Sequence, residues 1–256
     1  MKSFDVLGNL VIVKFPENSA LKDKRKFANK ILNENKSIKT VLEKVGKFKG
    51  RLRKLSTKFI AGEDTKEVLY KENNCTFRFN VDKTYFSPRL SNERKEIASK
   101  IKKGDLVLVM FAGVAPFSIV IAKNSKAKKV YSNELNREAN KYAELNISLN
   151  KLKDKIELVS GDIKRIAPKL NQKFDVIVMP RPQLKDSFLE QAFMLSKKGT
   201  MVYYYDFCRD DEIEDVKEKI WAEAKKAKKS IKLLNVRKAG ELAPHKIRLR
   251  VDFKII

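Results

Sequence analysis

The sequence predicts an α/β protein in which helices cover both faces of a parallel sheet, preceded by a small α+β unit. Two observations carry this prediction. From residue 88 onward, short apolar runs alternate with helical stretches, as is typical of parallel sheets with crossover helices. Before that point, short strands and one helix follow no such alternation. We therefore expect two domains, residues 1–84 and residues 85–256.

The patterns in the first domain predict several strands and a single helix. β-Branched residues on both sides of Gly8 and Asn9 predict a strand, a turn and a strand over residues 4–15. Apolar residues near a 3.6-residue period predict a helix over residues 24–47. Three further strands are expected at residues 49–60, 67–70 and 75–81.

The second domain begins with a predicted helix over residues 90–102 that stops at Gly104. The run 106–110 lies between glycines and has the apolar character of a buried parallel strand. Similar patterns predict strands at residues 130–133, 156–159, 176–179, 200–205 and 247–255, with helices at 136–150 and 184–196.

The charge balance points to a polyanionic partner. The chain has 57 Lys and Arg against 32 Asp and Glu, for a net charge of +25, and such a field attracts nucleic acid. The alternative is that the lysines reflect the general composition of the source proteome. A single histidine and two cysteines exclude a histidine-based metal site and a disulfide framework. With neither a signal segment nor a long apolar run, we expect a cytoplasmic, metal-independent protein that does not enter the membrane.

Three features at successive strand ends predict a ligand site. Small residues in the segment 111–118 let the backbone approach a ligand at the carboxyl edge of the sheet. Glu134 follows the next strand, about 20 residues later, where a carboxylate can accept from ribose hydroxyls. Asp162 ends the third strand, where an adenine amino group would lie. Each carboxylate alone could be a solvated helix cap. Because the pattern G-x-G-x-x-G is absent, we expect a ligand without phosphates.

The segment 85–94 immediately precedes the strand that carries this loop. Arg89 and Glu93 are four residues apart and so share one face of a helix. They could form a surface ion pair of little consequence, but their position favours a role in the site.

Taken together, these segments resemble the archaeal and eukaryotic tRNA (guanine-37, N1)-methyltransferases. The segments 85–94, 111–118, 161–162 and 179–182 occur in the family's order, and the likeness extends over nearly the whole chain. The resemblance implies S-adenosylmethionine as cofactor and a Rossmann-like class I methyltransferase domain with a mostly parallel seven-stranded sheet. It implies that the small α+β domain binds tRNA, and that the further N-terminal domain with which many relatives contact the outer corner of tRNA is missing.

The resemblance also assigns roles to residues. Glu93 would remove the proton from guanine N1, and Arg53 would stabilise the charge that develops on O6. A shielded carboxylate is a suitable base, and a guanidinium directs donors at an oxyanion. The implied cofactor-binding residues are Tyr85, Arg89, Arg94, Phe111, Ala112, Gly113, Glu134, Leu135, Asp162, Ile163 and Pro180.

Two residues depart from the family's pattern. Ala115 stands where glycine is usual, and we expect alanine to fit there with a negative φ. Pro180 begins the triplet that is usually Asn-Leu-Pro, which removes an amide side chain and a backbone donor from the guanine pocket. Within the family, a proline at this position resembles the pattern of an archaeal branch that also methylates C7 of 4-demethylwyosine, giving isowyosine. We therefore hypothesise both activities, acting at position 37 in the anticodon loop of tRNA, with tRNA-Phe as the expected substrate and a monomer as the expected state.

Two other functions remain open at this point. A related group with the same architecture transfers the aminocarboxypropyl arm of the cofactor to the wyosine precursor, and the mass of the product would distinguish it. A catalytically silent RNA-binding module would share the charge and the small domain, but it would not bind S-adenosylmethionine.

Overall fold

The computed structural model describes residues 3–49 and 54–256, which form a small α+β part and a larger α/β part. The elements of the small part are β1 (Ser3–Leu7), β2 (Leu10–Lys14), α1 (Leu21–Glu34), β3 (Thr40–Lys49) and β4 (Lys54–Gly62). They build a four-stranded sheet in the order β1-β2-β3-β4, in which only β2 and β3 are parallel. Helix α1 packs on this sheet around Ala28, Val41 and Ile60.

The predicted turn between the first two strands is confirmed. Gly8 has φ +56°, and a Cβ at this position would lie 1.9 Å from the carbonyl oxygen of Leu69. Glycine is therefore required twice here, by the turn itself and by the close approach of the neighbouring hairpin.

The prediction of one helix over residues 24–47 is wrong in its second half. The helix ends at Glu34, and residues from Thr40 form β3. The side chain of Asn35 accepts a hydrogen bond from the backbone N–H of Ser37 at 3.0 Å, which turns the chain. The next residues then pair in parallel with the central strand β2, as in Val41 beside Val11. Burial in a sheet has overridden a pattern that also fits a helix.

A two-stranded hairpin, β5 (Glu67–Glu72) and β6 (Cys75–Asn80), follows the small sheet and packs against the larger part. Two buried asparagines of that part fasten it. Asn146 Nδ2 donates to the backbone carbonyl of Arg78 at 3.1 Å, and Asn150 Nδ2 donates to that of Thr76 at 2.7 Å. Each side-chain oxygen accepts from the N–H of the same residue, so both asparagines substitute for a neighbouring strand.

The larger part alternates strands and helices, as predicted. After a 3₁₀ turn at Pro88–Leu90 its elements are α2 (Ser91–Lys100), β7 (Leu106–Val109), α3 (Pro116–Asn124), β8 (Lys129–Glu134), α4 (Arg137–Leu149), β9 (Ile156–Ser160), α5 (Ile163–Ile166), β10 (Phe174–Met179), α6 (Leu189–Leu195), β11 (Ser196–Arg209), α7 (Ile213–Lys226), β12 (Ile231–Ala243) and β13 (Lys246–Ile255).

These strands form one sheet in the order β12-β13-β11-β10-β7-β8-β9. The pairs from β11 to β9 are parallel, whereas β13 is antiparallel to both of its neighbours. The prediction of a mostly parallel seven-stranded sheet after a small α+β domain is confirmed. Sequence patterns did not predict β12 or α7, and the helix expected at 184–196 is shorter. A left-handed residue, Phe188 at φ +58°, precedes the start of α6 and keeps the chain out of the helical conformation before it.

Within the described residues, every helix falls short of the length and apolar character needed to cross a membrane.

Candidate cofactor cavity and active site

A cavity opens where the parallel strands β7, β8, β9 and β10 end. Backbone hydrogen bonds hold these ends together: the N–H of Ala112 donates to Asn133 at 2.8 Å, and that of Gly161 donates to Glu134 at 2.8 Å. Parallel strands direct their carboxyl ends to the same edge, where α/β proteins bind ligands. Eight of the residues predicted to bind the cofactor line this cavity: Tyr85, Phe111, Gly113, Glu134, Leu135, Asp162, Ile163 and Pro180.

Glu134 braces the loop that forms one wall of the cavity. Its Oε2 accepts from the backbone N–H of Gly113 at 2.7 Å, and its Oε1 accepts from that of Asn136 at 2.7 Å. Each carboxylate oxygen can accept more than one hydrogen bond. Glu134 can therefore hold the loop and receive ribose hydroxyls at the same time.

Asp162 lies at the end of the next strand and caps the short helix α5. Its Oδ1 accepts from the backbone N–H of Lys164 at 3.1 Å. Gly161, before it, has φ +127°, a conformation that side chains rarely adopt. This conformation turns the chain sharply and brings Asp162 to the cavity wall.

The loop after β7 contains three left-handed residues in alternate positions. Phe111, Gly113 and Ala115 have φ values of 57°, 59° and 65°. The expectation that Ala115 adopts a negative φ is wrong: its φ lies in the left-handed region, which favours glycine. Strain of this kind costs about 1–2 kcal/mol for alanine. It is retained where surrounding structure fixes the backbone, as at a ligand site.

The cavity fits the adenosine part of S-adenosylmethionine. Glu134 and Asp162 supply acceptors at neighbouring strand ends, and Phe111, Leu135 and Ile163 supply apolar surface between them. A planar base with an exocyclic amino group, joined to a sugar with two hydroxyls, matches this arrangement of acceptors and apolar walls.

The loop after β10 is anchored by a buried arginine. Arg181 forms an ion pair with Asp206 of β11, and its Nη2 donates to the backbone carbonyl of Asp186 at 2.7 Å. The hydroxyl of Tyr204 donates to Asp206 as well, at 2.7 Å. These contacts fix Pro180 at the cavity, beside the strand ends.

The segment 85–94 is pinned by its apolar and basic side chains. Phe86 stacks on Phe79 with ring centroids 4.6 Å apart and contacts Tyr70 edge-on at 5.0 Å. Arg94 is 1% exposed and forms a buried ion pair with Glu72 of the hairpin. Arg94 therefore attaches the segment to the hairpin and lies outside the cavity lining, while Tyr85 contributes to the lining.

Glu93 is buried beside the antiparallel strands. Its Oε2 accepts from the hydroxyl of Tyr205 at 2.8 Å and from Nη1 of Arg250 at 2.9 Å, while its Oε1 accepts from Arg237. Glu93 does not line the cavity, but Leu90, one helical turn earlier, does.

A groove between the two parts of the protein adjoins the cavity. It is lined by residues of the small sheet, by the segment 84–89 and by residues 239–242 of β12. Tyr85 and Arg248 line both spaces, so the groove and the cavity lie side by side. The guanidinium of Arg248 stacks over Phe207, with 5.1 Å to the ring centroid.

The remaining predicted residues lie elsewhere. Arg89 lines the groove, and its exposed guanidinium lies 3.4 Å from Asp5. Ala112 is buried in the loop after β7. Arg53 lies outside the described residues. Sequence reasoning missed Phe207 and Arg248, because the antiparallel strands that carry them have no motif that signals a ligand site.

Comparisons with known proteins agree with this geometry. The family model described as the TRM5/TYW2 methyltransferase domain matches residues 68–234, and the TYW2 N-terminal domain matches residues 1–65. The tRNA (guanine(37)-N(1))-methyltransferase Trm5b of Pyrococcus abyssi is 35% identical over 99% of this chain and 74% of its own length. Its crystal structure superposes with a TM-score of 0.86.

Two further relatives are informative about substrates. The tRNA (guanine(37)-N(1))/4-demethylwyosine(37)-methyltransferase Taw22 of Nanoarchaeum equitans is 31% identical, over 99% of this chain and all of its own length. A solved complex of aTrm5 with tRNALeu has a TM-score of 0.84 at 31% identity, covering 99% of this chain and 72% of that one.

Proposed function

This chain belongs to the TRM5/TYW2 methyltransferase family, and we propose that it transfers a methyl group from S-adenosylmethionine to N1 of guanosine 37 in tRNA. The observation that carries this function is the cavity at the parallel strand ends, with Glu134 and Asp162 at successive strands, joined to a groove that reaches the small domain. Relatives that match almost the whole chain bear the same activity in their names.

S-Adenosylmethionine supplies an electrophilic methyl group when it is bound. Glu134 would receive its ribose hydroxyls, and Asp162 would receive the adenine amino group. Tyr85 and Arg248 lie where the groove meets the cavity, so they would flank the target base. A base stacks readily on an aromatic ring or on a guanidinium plane.

Glu93 would accept the proton that guanine N1 loses as N1 forms its bond to the methyl group. Both of its carboxylate oxygens accept hydrogen bonds from this chain. Each oxygen can accept more than one hydrogen bond, so Oε1 can meet N1 while it still accepts from Arg237. Arg53, if it enters the groove, would stabilise the negative charge on O6.

We further propose that the enzyme acts on 4-demethylwyosine in tRNA-Phe. Pro180 lines the cavity and has no amide side chain. A relative that matches this chain over its whole length is named for both substrates. A proline at position 180 supplies neither a side-chain amide nor a backbone N–H. The pocket therefore has room for another base and lacks a fixed hydrogen-bond partner for the Watson–Crick edge of guanine. We expect the enzyme to act in the cytoplasm as a monomer.

The test uses the whole protein, S-adenosylmethionine and two tRNA-Phe substrates, one with guanosine 37 and one with 4-demethylwyosine. After digestion, mass spectrometry identifies the nucleosides. N1-methylguanosine from the first supports the main proposal, and isowyosine from the second supports the dual activity. An aminocarboxypropyl adduct, or tRNA binding with no transfer to either substrate, would overturn the main proposal.

Variants of Pro180 and Glu93 sharpen this test. Pro180→Asn should reduce isowyosine relative to N1-methylguanosine, and an unchanged ratio would remove Pro180 from substrate choice. Glu93→Gln should lower methyl transfer to guanosine roughly 10²- to 10⁴-fold, as expected for loss of a general base. Glu138→Gln is a matched surface control, since Glu138 pairs with the exposed Lys141.

A further inference from the structure

Three side chains from three neighbouring strands converge on one carboxylate. Arg250 of β13 is the registered partner of Tyr205 on β11 and of Arg237 on β12. Side chains of registered partners lie on the same face of a sheet. All three donate to Glu93, which reaches this face from helix α2.

The three donors are distributed over the two oxygens of the Glu93 carboxylate. Tyr205 and Arg250 both donate to Oε2, at 2.8 and 2.9 Å, and both are essentially fully buried. Arg237 donates to Oε1, and its side chain is 36% exposed. Oε2 therefore lies against the packed sheet, while Oε1 lies beside the more exposed of the two arginines.

Neighbouring contacts hold two of these donors in place. Arg250 Nη2 donates to Glu96 at 2.7 Å, and its Nε donates to Asp252 at 2.7 Å. Arg237 also donates to Glu96. Glu96 lies three residues after Glu93, about one helical turn along α2, so the same two arginines hold both carboxylates of the helix.

Tyr205 has no hydrogen-bond acceptor other than Glu93 for its hydroxyl among the contacts of the described residues. Burial, reinforced by the adjacent carboxylate of Glu93, raises the pKa of Tyr205 well above its ordinary value. The phenol therefore remains a neutral donor throughout the working pH range. A buried tyrosine with a single carboxylate partner orients that carboxylate.

The next row of the same strands borders the active site. Arg248 pairs in register with Phe207, and both line the cofactor cavity. Residues two apart on a strand share a face, about 6.5–7 Å apart. The row that holds Glu93 is thus one step along the sheet from the cavity wall.

We propose that Tyr205 and Arg237 are positioning residues for Glu93, fixing its carboxylate from two sides so that it meets the proton of the target base. This inference rests on the proposed function, in which Glu93 is the base. Loss of Tyr205 or Arg237 should lower the rate of methyl transfer and leave cofactor binding unchanged, because neither residue lines the cofactor cavity.

The experiment measures single-turnover methyl transfer at saturating S-adenosylmethionine and guanosine-37 tRNA. Tyr205→Phe and Arg237→Gln should each lower the rate about tenfold or more, a fraction of what a general base supplies. The Kd for S-adenosylmethionine should stay within about twofold. Arg237→Lys, which keeps a charged donor, should recover part of the rate. Tyr203→Phe is the matched control, two residues earlier on the same strand face and without a hydrogen bond to Glu93 in the described residues.

The same substitutions in a Glu93→Gln background separate the possible outcomes. If the two residues act through Glu93, Tyr205→Phe should cause no further loss there. An equal loss in both backgrounds, or a normal rate for both single variants, would overturn the positioning role. A normal rate for Glu93→Gln alone would instead overturn the proposed role of Glu93.

Discussion

In the parallel half of the large sheet, strands β7 to β10, the site residues lie at the end of each strand or just after it. In the antiparallel half, strands β11 to β13, they lie on the strands themselves. Glu134 and Asp162 belong to the first kind, and Tyr205, Arg237 and Arg250 to the second. Strand ends in a parallel sheet gather at one edge, so the first half is suited to hold a ligand. The second half presents a rigid, registered surface and is suited to orient a side chain.

The two halves also differ in how they are stabilised. Around the cofactor loop, carboxylates accept mainly from backbone N–H groups, as Glu134 does from Gly113. In the antiparallel half, Glu93 and Asp252 are buried carboxylates that depend on Arg250. Burial of a charge is tolerated only while its partner is present. Substitutions in the second half should therefore lower the stability of the fold, whereas substitutions in the first half should weaken ligand binding.

The largest expected effect is on stability, from Arg250→Met. Removing this guanidinium leaves Glu93 and Asp252 buried without their main cation, which should lower the free energy of unfolding by about 3–5 kcal/mol. Urea denaturation measures this change. Arg248→Met, two residues earlier and without an ion pair among the described residues, should cost less than about 1 kcal/mol. Equal losses for both variants would mean that the buried charges do not stabilise this half.

The next effect is on ligand affinity, from Glu134→Gln. An amide cannot accept from both Gly113 and Asn136 as the carboxylate does, and it binds ribose hydroxyls less strongly. Hydrogen bonds to a charged group contribute about 1.5–3 kcal/mol, so the Kd for S-adenosylmethionine should rise roughly 10- to 100-fold. Titration calorimetry measures it, with the surface variant Glu138→Gln as control. An unchanged Kd for Glu134→Gln would place the cofactor elsewhere.

The smallest effect concerns pH and the edge of the ionic cluster. The hydrogen bond from Arg250 lowers the pKa of Glu96 to about 2, below its ordinary 4.5. A carboxylate with a depressed pKa stabilises the fold above its unfolded value, and this contribution disappears as the pH falls from about 4.5 to about 2. Because Glu96 is 36% exposed, solvent weakens the effect. The difference in unfolding free energy between the protein and Glu96→Gln should therefore shrink over this range. A difference that stays constant would show that Glu96 is not coupled to Arg250.

Sequence patterns predicted the parallel half well because its signals are local. Each apolar strand is followed within a few residues by the loop that carries the ligand contacts, so chain order alone placed Gly113, Glu134 and Asp162 together. The same local reasoning was wrong for residues 40–47, which form a strand because a central strand was available to pair with them. It was also wrong for Ala115, whose φ of 65° is imposed by the loop around it.

The sequence by itself determined the alternation of strands and helices from β7 to β11, the cofactor loop with its two acidic partners, and the positive charge that favours an RNA partner. Periodicity, turn residues and net charge are properties of the chain, and they need no knowledge of contacts. Only the tertiary structure decided that Arg94 fastens the hairpin, that Arg248 stands between cavity and groove, and that Tyr205, Arg237 and Arg250 surround Glu93. These contacts join residues more than 100 positions apart in the case of Glu93, and strand register, which no local pattern records, brings them together.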